Sequence, residues 1–382
     1  MSADSLLRPY VSMRGKRYSS FHLCGMAGWA LSSLLAVALV RREGLSYLPI
    51  AVAWLACVIG FLAFAMATKI VTGEERLTYY RHEVVLVAVA GAVLRLMHRP
   101  VFQYLDIVIL GVGLFLACGR IGCLMVGCCH GRPSRWGVRY GRKHARYGFA
   151  SHLAGVRLFP VQAVESVAVS AIVVLGALLF ANRPAGAALA WYTMTYGAVR
   201  FGLEFLRGDP DRPYWLGYSE SQWISLLLTG SILFGELSGR LPLSTWHAGV
   251  FAGLALTMVV VSLRRLVDRG IRFQLLQARH VDEIARAIRL DLKPSGPSGV
   301  PRVRQTSLGV QISGGSIETS GARLLHYAFS APAQGMTGKR AATLARLMEQ
   351  LTPGLGSPSL VEGRQGVFHV LFPPAAAGEA AR

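Results

Sequence analysis

The chain has 382 residues, of which 53% are hydrophobic and only 16% are charged, against about 25% charged in typical soluble domains. Its formal net charge is +20, but the lysines and arginines lie between long apolar stretches, and the sequence contains no nucleic-acid recognition motif. This pattern argues against a nucleic-acid partner. It favours the anionic surface of a lipid bilayer, where each basic residue contributes about 1 kcal/mol.

Eight apolar stretches approach the roughly 20 residues that a helix needs to cross a bilayer. They lack the alternation of apolar and polar residues that a membrane β-barrel requires. The sequence therefore predicts an all-α polytopic membrane protein with seven to eight transmembrane helices and a small soluble α+β C-terminal appendage. The predicted spans lie near 21–40, 47–68, 84–98, 104–119, 161–181, 186–206, 222–237 and 245–262.

Beyond the last apolar stretch the sequence turns polar. Val281, Ile284 and Ile288 are spaced as on one face of an amphipathic helix, and "KPSGPSGVP" is typical of a linker. Further on, "LGVQISG" and "GVFHVLFP" predict strands, and "GKRAATLARLMEQL" predicts a helix. We therefore expect a transmembrane domain over 1–262, an amphipathic helix and linker over 263–304, a small soluble domain over 305–375 and a disordered tail over 376–382.

Four of the six cysteines crowd into twelve residues at the end of the fourth stretch. The full set is Cys24, Cys57, Cys118, Cys123, Cys128 and Cys129. Zinc sites usually pair cysteines two to four residues apart with a second pair elsewhere, and adjacent side chains such as Cys128, Cys129 and His130 do not easily converge on one ion. We therefore predict no metal site and no cofactor. Free thiols packed near the membrane surface are the favoured interpretation, with a disulfide or a metal site as alternatives.

The sixth stretch carries charges inside an apolar segment. Tyr196, Arg200, Glu204 and Arg207 follow each other at helical spacing and share one face. An arginine deep in a span costs about 2.5–3.5 kcal/mol, which makes such residues functional candidates. Arg200 could simply pair with Glu204 while Arg207 reaches the interface. Because the same face adds a tyrosine and a second arginine, we favour a cationic groove for a phosphate, which guanidinium groups bind bidentately.

Polar residues also mark the ends of other predicted spans, as a site for a lipid headgroup within a helical bundle would require. A histidine at such a position can titrate near neutral pH. The residues concerned are Arg81, His82, Gln162, Glu165, Ser219, Ser221, Gln222 and Ser225.

The motifs "GRIG", "FPVQAVES", "YGAVRFGLEFLR" and "SESQWIS", in this order, resemble those of the bacterial phosphatidylglycerol–prolipoprotein diacylglyceryl transferases. The resemblance runs from about His82 to Ser225. It implies a multi-pass protein of the bacterial cytoplasmic membrane that moves a diacylglyceryl group from phosphatidylglycerol to the lipobox cysteine of a preprolipoprotein. The implied partners are therefore anionic phospholipid as donor, the signal region of a preprolipoprotein as acceptor, and the lipid bilayer.

The resemblance also implies roles for individual residues. Arg200 and Arg120 would bind the phosphate, His82 would act as the base, and Glu204 would orient the arginines. The glycines would let the backbone approach the headgroup closely. The implied substrate-binding residues are Gly119, Gly122, Gly131, Arg132, Tyr196, Glu204, Arg207, Gln162, Glu165, Ser219 and Gln222.

Several positions depart from the family's usual pattern. Cys123, Val126 and Cys128 stand where members typically have two asparagines and a glutamate, and Phe159 and Val164 replace a histidine and a tyrosine. These changes describe a divergent branch and leave two alternatives open. One is a paralogous transferase that uses the same lipid donor with a different acceptor, and the other is a non-catalytic lipid-binding scaffold.

Overall fold

The structure is a computed structural model that describes residues 3–73, 79–179, 183–267, 274–291, 302–319, 322–332, 335–353 and 355–373. The linker predicted at 293–301 and the disordered tail predicted at 376–382 both lie outside the described residues. The described part of the chain forms a helical bundle followed by a small α+β appendage.

Each of the eight predicted spans coincides with a helix in the described part of the chain. Helices are expected there because, apart from closed barrels, they alone satisfy every backbone group inside lipid. The helices are α1 (Ser20–Arg42), α2 (Tyr47–Thr72), α3 (Tyr79–Leu96), α4 (Val101–Val126), α6 (Val161–Leu179), α7 (Ala187–Leu203), α8 (Glu220–Leu237) and α9 (Thr245–Val267), with a short α5 (Arg142–Ala145) in the loop after α4.

Five of these helices, counted over the described residues, are long and apolar enough to cross a membrane: α1, α2, α4, α6 and α9. The structure thus supports a polytopic membrane protein, with five crossings by length and composition where the sequence predicts seven to eight. The shortfall has a physical reason. Helix α7 has only 17 residues, α3 carries Arg81, Glu83 and Arg95, and α8 carries Glu220, Gln222 and Glu236.

Helix α4 lies at the centre of the bundle, where it contacts α1, α2, α3, α6 and α7. Glycine permits one of these close approaches, because a Cβ at Gly113 would lie 2.4 Å from the ring of Tyr192 in α7. The Asp106 carboxylate in α4 accepts hydrogen bonds from the backbone N–H groups of Gly186 and Leu189, at 2.8 and 2.7 Å. Asp106 therefore caps the start of α7 and fixes α7 against α4.

Two-stranded pairs lie before α1, in the loop after α4 and just before α8. The longest loop of the bundle, between α4 and α6, pairs β3 with β4 and contains a 3₁₀ turn at Ser151–Leu153. The two-stranded pairs are β1 (Tyr10–Met13) with β2 (Lys16–Ser19), β3 (Pro133–Arg139) with β4 (Arg157–Leu158), and β5 (Tyr214–Trp215) with β6 (Tyr218–Ser219), all antiparallel.

The appendage consists of two helices and five strands: α10 (Ala278–Asp291), β7 (Val303–Gln305), β8 (Gln311–Thr319), β9 (Ala322–Ser330), α11 (Gly338–Leu351), β10 (Ser359–Glu362) and β11 (Phe368–Phe372). The strands form an antiparallel sheet in the order β10-β11-β9-β8-β7, and both helices pack against it. The predicted amphipathic helix, strands and second helix are confirmed in α10, β8, β11 and α11, whereas the sequence does not predict β7, β9 and β10.

The appendage shares one apolar core with the loop between α4 and α6. Tyr140, Phe149 and Leu158 of the loop belong to the same buried cluster as Ile284 of α10 and Leu344 of α11. The His152 ring of the loop also pairs with Asp282 of α10. The appendage is therefore docked on the loop that follows α4, and α10 packs into the core of the sheet although the predicted domain boundaries group it with the linker.

Candidate functional site

Two arginines from different helices meet on one buried carboxylate. Arg120 Nε in α4 lies 2.9 Å from Glu165 Oε2 in α6, an ion pair without hydrogen-bond alignment. Arg200 Nη1 in α7 lies 3.5 Å from both oxygens of the same carboxylate. The Tyr196 hydroxyl donates to Glu165 Oε1 at 3.0 Å. Glu165 therefore ties α4, α6 and α7 together at the charged end of the bundle.

These charges are almost completely withdrawn from solvent, since Glu165 is 1% exposed, Arg200 4% and Arg120 5%. Buried ions pay a desolvation penalty of several kcal/mol each, which only close opposite charges and hydrogen bonds offset. The arrangement is thus costly to build and holds the two guanidinium groups in fixed positions.

A second group of ion pairs continues from Arg200. Its Nη2 lies 2.6 Å from Glu204 Oε1, and Glu204 also pairs with Arg207 at 3.5 Å and with Arg212. Arg207 makes a bidentate pair with Asp209, at 2.9 Å for both bonds. Taken together, the ion pairs around Glu165 and those around Glu204 and Asp209 bring four guanidinium groups into contact with three carboxylates.

We call the side chains of Arg120, Glu165, Arg200, Glu204, Arg207, Asp209 and Arg212 the arginine cluster. The predicted groove residues Tyr196, Arg200, Glu204 and Arg207 are all part of it or in contact with it. The simpler alternative, an isolated Arg200–Glu204 pair, is wrong, because both residues have further charged partners.

Several predicted substrate-binding residues have hydrogen-bond partners within the protein, and their contact with a substrate stays a prediction. Ser219 and Gln222 form a capping box at the start of α8, and Gln222 Nε2 also donates to the Phe201 carbonyl at 3.4 Å. Gln162 Nε2 donates to the Cys128 carbonyl at 2.7 Å, and Arg132 Nε donates to the Arg207 carbonyl at 3.3 Å. These residues shape the backbone around the arginine cluster.

The predicted glycines differ in their surroundings. A Cβ at Gly131 would lie 2.3 Å from the Phe159 carbonyl oxygen, and one at Gly122 would lie 3.1 Å from Phe21 Cα, so protein atoms fill both spaces. Gly131 and Gly122 thus permit close packing of the chain on itself, and their part in the approach of the backbone to a headgroup stays a prediction. A Cβ at Gly119 would meet nothing within 4 Å, so that space is open.

His82, the predicted base, lies on the α2 side of α3. Its ring centroid is 4.8 Å from that of Phe61 and 4.9 Å from that of Phe64, both in α2. The neighbouring Arg81 pairs with Glu220 at the start of α8, with Nη2 2.7 Å from Oε2. The role of His82 therefore stays a prediction, and Arg81 joins α3 to α8.

Glu83, Asp209 and Arg212 belong to this region although the sequence did not mark them as candidates, whereas Ser221, which it did mark, lies here as well. Ser221 accepts a hydrogen bond from Arg200 Nη2 at 3.2 Å, and Glu83 is buried within electrostatic range of Arg200 and Glu165. Asp209 and Arg212 complete the arginine cluster. The dense "RGDPDR" run directly after the predicted helix is the signal that could have found the last two.

A cavity of about 1000 Å³ opens beside the arginine cluster, and Asp209 is the cluster residue in its wall. The remaining walls come from the turn after α4, the loop at 147–152 and helix α10 of the appendage. The lining residues include Cys128, Cys129, His130, Phe149, Asp209, Asp282 and Arg286. The appendage therefore forms one side of the space next to the charged end of the bundle.

Three thiols converge beside this cavity, and two of them, those of Cys128 and Cys129, belong to residues that line it. The Sγ atoms of Cys123, Cys128 and Cys129 lie within 4.8 Å of one another, and all six cysteines of the chain are free. Hydrogen bonds from Cys123 and Cys128, together with Arg207 and Arg120, outweigh burial and hold the pKa of Cys129 well below its usual range. Cys128 and Cys129 meet Cys123 because the turn at 127–129 folds them back onto α4, whereas His130, the third of the consecutive side chains, is not part of this group.

The fold and the site define a polytopic helical membrane protein that buries a charge cluster at one end of its bundle. The sequence profile of the prolipoprotein diacylglyceryl transferase family matches residues 20–235. This match covers more than half of the chain, and the chain belongs to that family.

Relatives of the chain carry the same family name. It is 36% identical over 148 residues to phosphatidylglycerol–prolipoprotein diacylglyceryl transferase 2 of Clostridium perfringens, covering 37% of this chain and 55% of the relative. It is 34% identical over 139 residues to the enzyme of Clostridium tetani (35% and 53%) and 29% identical over 137 residues to that of Dehalococcoides mccartyi (35% and 50%). The chain spans about half the length of the curated relatives it matches.

Proposed function

We propose that this protein transfers the diacylglyceryl group of phosphatidylglycerol to the lipobox cysteine thiol of a preprolipoprotein, in the bacterial cytoplasmic membrane. The proposal rests above all on the meeting of Arg120 and Arg200, from separate helices, on Glu165. The family and the names of the relatives point to the same reaction.

The proposed reaction is a displacement at a glyceryl carbon. The thiolate sulfur forms a bond to that carbon, the carbon–oxygen bond to phosphate breaks, and its electron pair leaves with glycerol phosphate. Negative charge develops on the leaving phosphate, where preorganised cations stabilise the transition state most effectively. Arg200 is suited to this role, because Glu165, Glu204 and Ser221 fix its guanidinium group.

The acceptor must become a thiolate, since the thiol itself is a poor nucleophile. His82 is the base that the resemblance implies, and His82→Gln tests this role. Donor and acceptor must also be held in line. The cavity between the turn after α4 and helix α10 offers a protein-lined space for the acceptor segment next to Asp209.

The test is an assay with purified full-length protein, glycerol-labelled phosphatidylglycerol and a lipobox peptide. Label on the peptide cysteine, with release of glycerol phosphate, supports the proposal. Release of glycerol phosphate without labelled peptide contradicts the lipoprotein acceptor and supports a paralogous transferase. If neither product forms, the non-catalytic lipid-binding scaffold is favoured.

A further inference from the structure

The three converging thiols have a local cause in the backbone. Helix α4 ends at Val126, the next residue Gly127 has a left-handed φ of 89°, and Cys129 has a φ of 53°. Left-handed backbone is uncommon for a residue other than glycine. These two residues reverse the chain, so Cys128 and Cys129 return to the last turn of α4, where Cys123 lies.

The geometry of the three sulfurs suits a single small ion. A zinc–sulfur bond of about 2.3 Å in tetrahedral geometry places its sulfurs about 3.8 Å apart. The observed separations, all within 4.8 Å, therefore allow one ion to reach all three with small rotations. Soft thiolates select zinc and copper(I) over hard cations such as magnesium.

Within the described residues, the ligand group at this place consists of these three cysteines alone. The ring Nδ1 of the neighbouring His130 lies 2.9 Å from the Gly131 carbonyl oxygen. A three-ligand set leaves the fourth tetrahedral position open, as in zinc sites that act on a substrate. Cys128 and Cys129 line the cavity, so the open position is accessible from there.

The surrounding charges complement such a site. A zinc ion with three thiolates carries one net negative charge, and Arg207 and Arg120 lie within electrostatic range of Cys129. Gln162 also donates to the Cys128 carbonyl, which fixes the backbone of the turn. Neighbours that hold ligands in place are a regular part of metal sites.

We propose that Cys123, Cys128 and Cys129 bind one zinc ion through three thiolates, and that its open fourth position takes the acceptor cysteine. The second half rests on the proposed transferase function. On coordination the acceptor thiol gives its proton to water in the cavity, since a coordinated thiol is deprotonated, and this route takes the place of the His82 base that the resemblance implies. Its sulfur then attacks the glyceryl carbon, the carbon–oxygen bond breaks, glycerol phosphate leaves with the electron pair, and the thioether product dissociates from the ion.

The first experiment tests the metal site without any assay of activity. Zinc is measured in purified full-length protein by elemental mass spectrometry, and we expect one equivalent. Cys123→Ser and Cys129→Ser should each lose most of this zinc, whereas Cys118→Ser, on the same helix but outside the group, should retain it. Wild-type protein without zinc, or with copper in its place, would overturn the proposal.

A second measurement uses the wild-type chain, so it does not depend on the folding of a variant. With zinc bound, Cys128 and Cys129 should resist N-ethylmaleimide, and a chelator should make both reactive while Cys118 stays unchanged. Cobalt added to the chelated protein should produce thiolate-to-metal charge-transfer absorption. Equal labelling with and without chelator, or no such absorption, would contradict a three-thiolate site.

The acceptor half has its own test on the cobalt-loaded protein. A lipobox peptide should increase the charge-transfer absorption, and the same peptide with serine in place of its cysteine should not. An unchanged spectrum would overturn the acceptor role while the metal site stands. If transfer of labelled glyceryl to peptide proceeds undiminished in zinc-free protein, the acceptor role fails although the proposed function holds.

Discussion

The helical bundle and the appendage place their polar and apolar residues in opposite ways. In the bundle, large apolar side chains such as Leu62 and Val167 are exposed, while Glu165 and Arg200 are buried. In the appendage, Ile284 and Leu344 are buried and Arg286 is exposed. An exposed apolar surface of this extent indicates contact with lipid. The surface of each part therefore matches its own surroundings, lipid for the bundle and water for the appendage. This match does not explain the buried charges of the bundle, which we attribute to function.

The largest expected effect comes from removing the shared carboxylate of the bundle. Glu165→Gln leaves the Arg120 and Arg200 guanidinium groups without their common counter-charge, and breaking a buried pair in this way costs about 3–5 kcal/mol. Thermal unfolding in detergent measures the loss. The matched control is Glu43→Gln, whose ion pair with Arg42 is partly exposed on both sides, and which should cost less than about 1 kcal/mol. Equal effects would show that burial of the charges does not matter.

The second largest effect is expected on the turnover of the proposed transfer reaction. Arg200→Ala should lower turnover with lipobox peptide about 10²–10³-fold, the usual loss when one preorganised donor to a developing oxyanion is removed. The fold should persist, because Glu165 remains paired with Arg120, and Glu204 remains paired with Arg207 and Arg212. Arg346→Ala, on the exposed side of α11, is the control and should leave turnover unchanged. Normal turnover in Arg200→Ala would show that Arg200 does not take part in the reaction.

Two isoleucine-to-valine substitutions, one in each part, compare the effect of a buried and an exposed apolar side chain on stability. Ile284 in α10 is fully buried and Ile59 in α2 is 58% exposed. Ile284→Val should destabilise the appendage by about 0.5–1.5 kcal/mol, and Ile59→Val should have almost no effect in detergent. Local hydrogen exchange of the full-length chain measures both. A larger effect at Ile59 would mean that α2 packs against protein in this region.

The smallest effect concerns the pH dependence of the appendage. Burial lowers the pKa of His280, whose ring nitrogens contact the Leu275 carbonyl at 2.8 Å and Thr306 Oγ1 at 3.0 Å. Because the unfolded pKa is about 6.5, the unfolded chain binds the proton more tightly. The contribution of His280 to stability is therefore complete above that pH and declines as pH falls below it.

Hydrogen exchange of α10 at about pH 7.5 and pH 5.5, corrected for intrinsic exchange rates, checks this expectation. The wild-type appendage should be less protected at the lower pH, and His280→Gln should reduce the difference. His22→Gln, at an exposed position of α1, should leave it unchanged. A pH dependence that survives in His280→Gln would assign the effect to another group.

The positions of the helices, the contact of the bundle with lipid and the common face of Tyr196 and Arg200 are predictable from the sequence, because helical periodicity and hydropathy are local properties. The same holds for α10 and α11. The sharing of Glu165 by Arg120 and Arg200, the packing of Gly131 against the Phe159 carbonyl and the convergence of the thiols emerge only in the folded chain. These outcomes depend on which faces of separate helices meet and on one chain reversal at Gly127, and neither is encoded in spacing along a single segment.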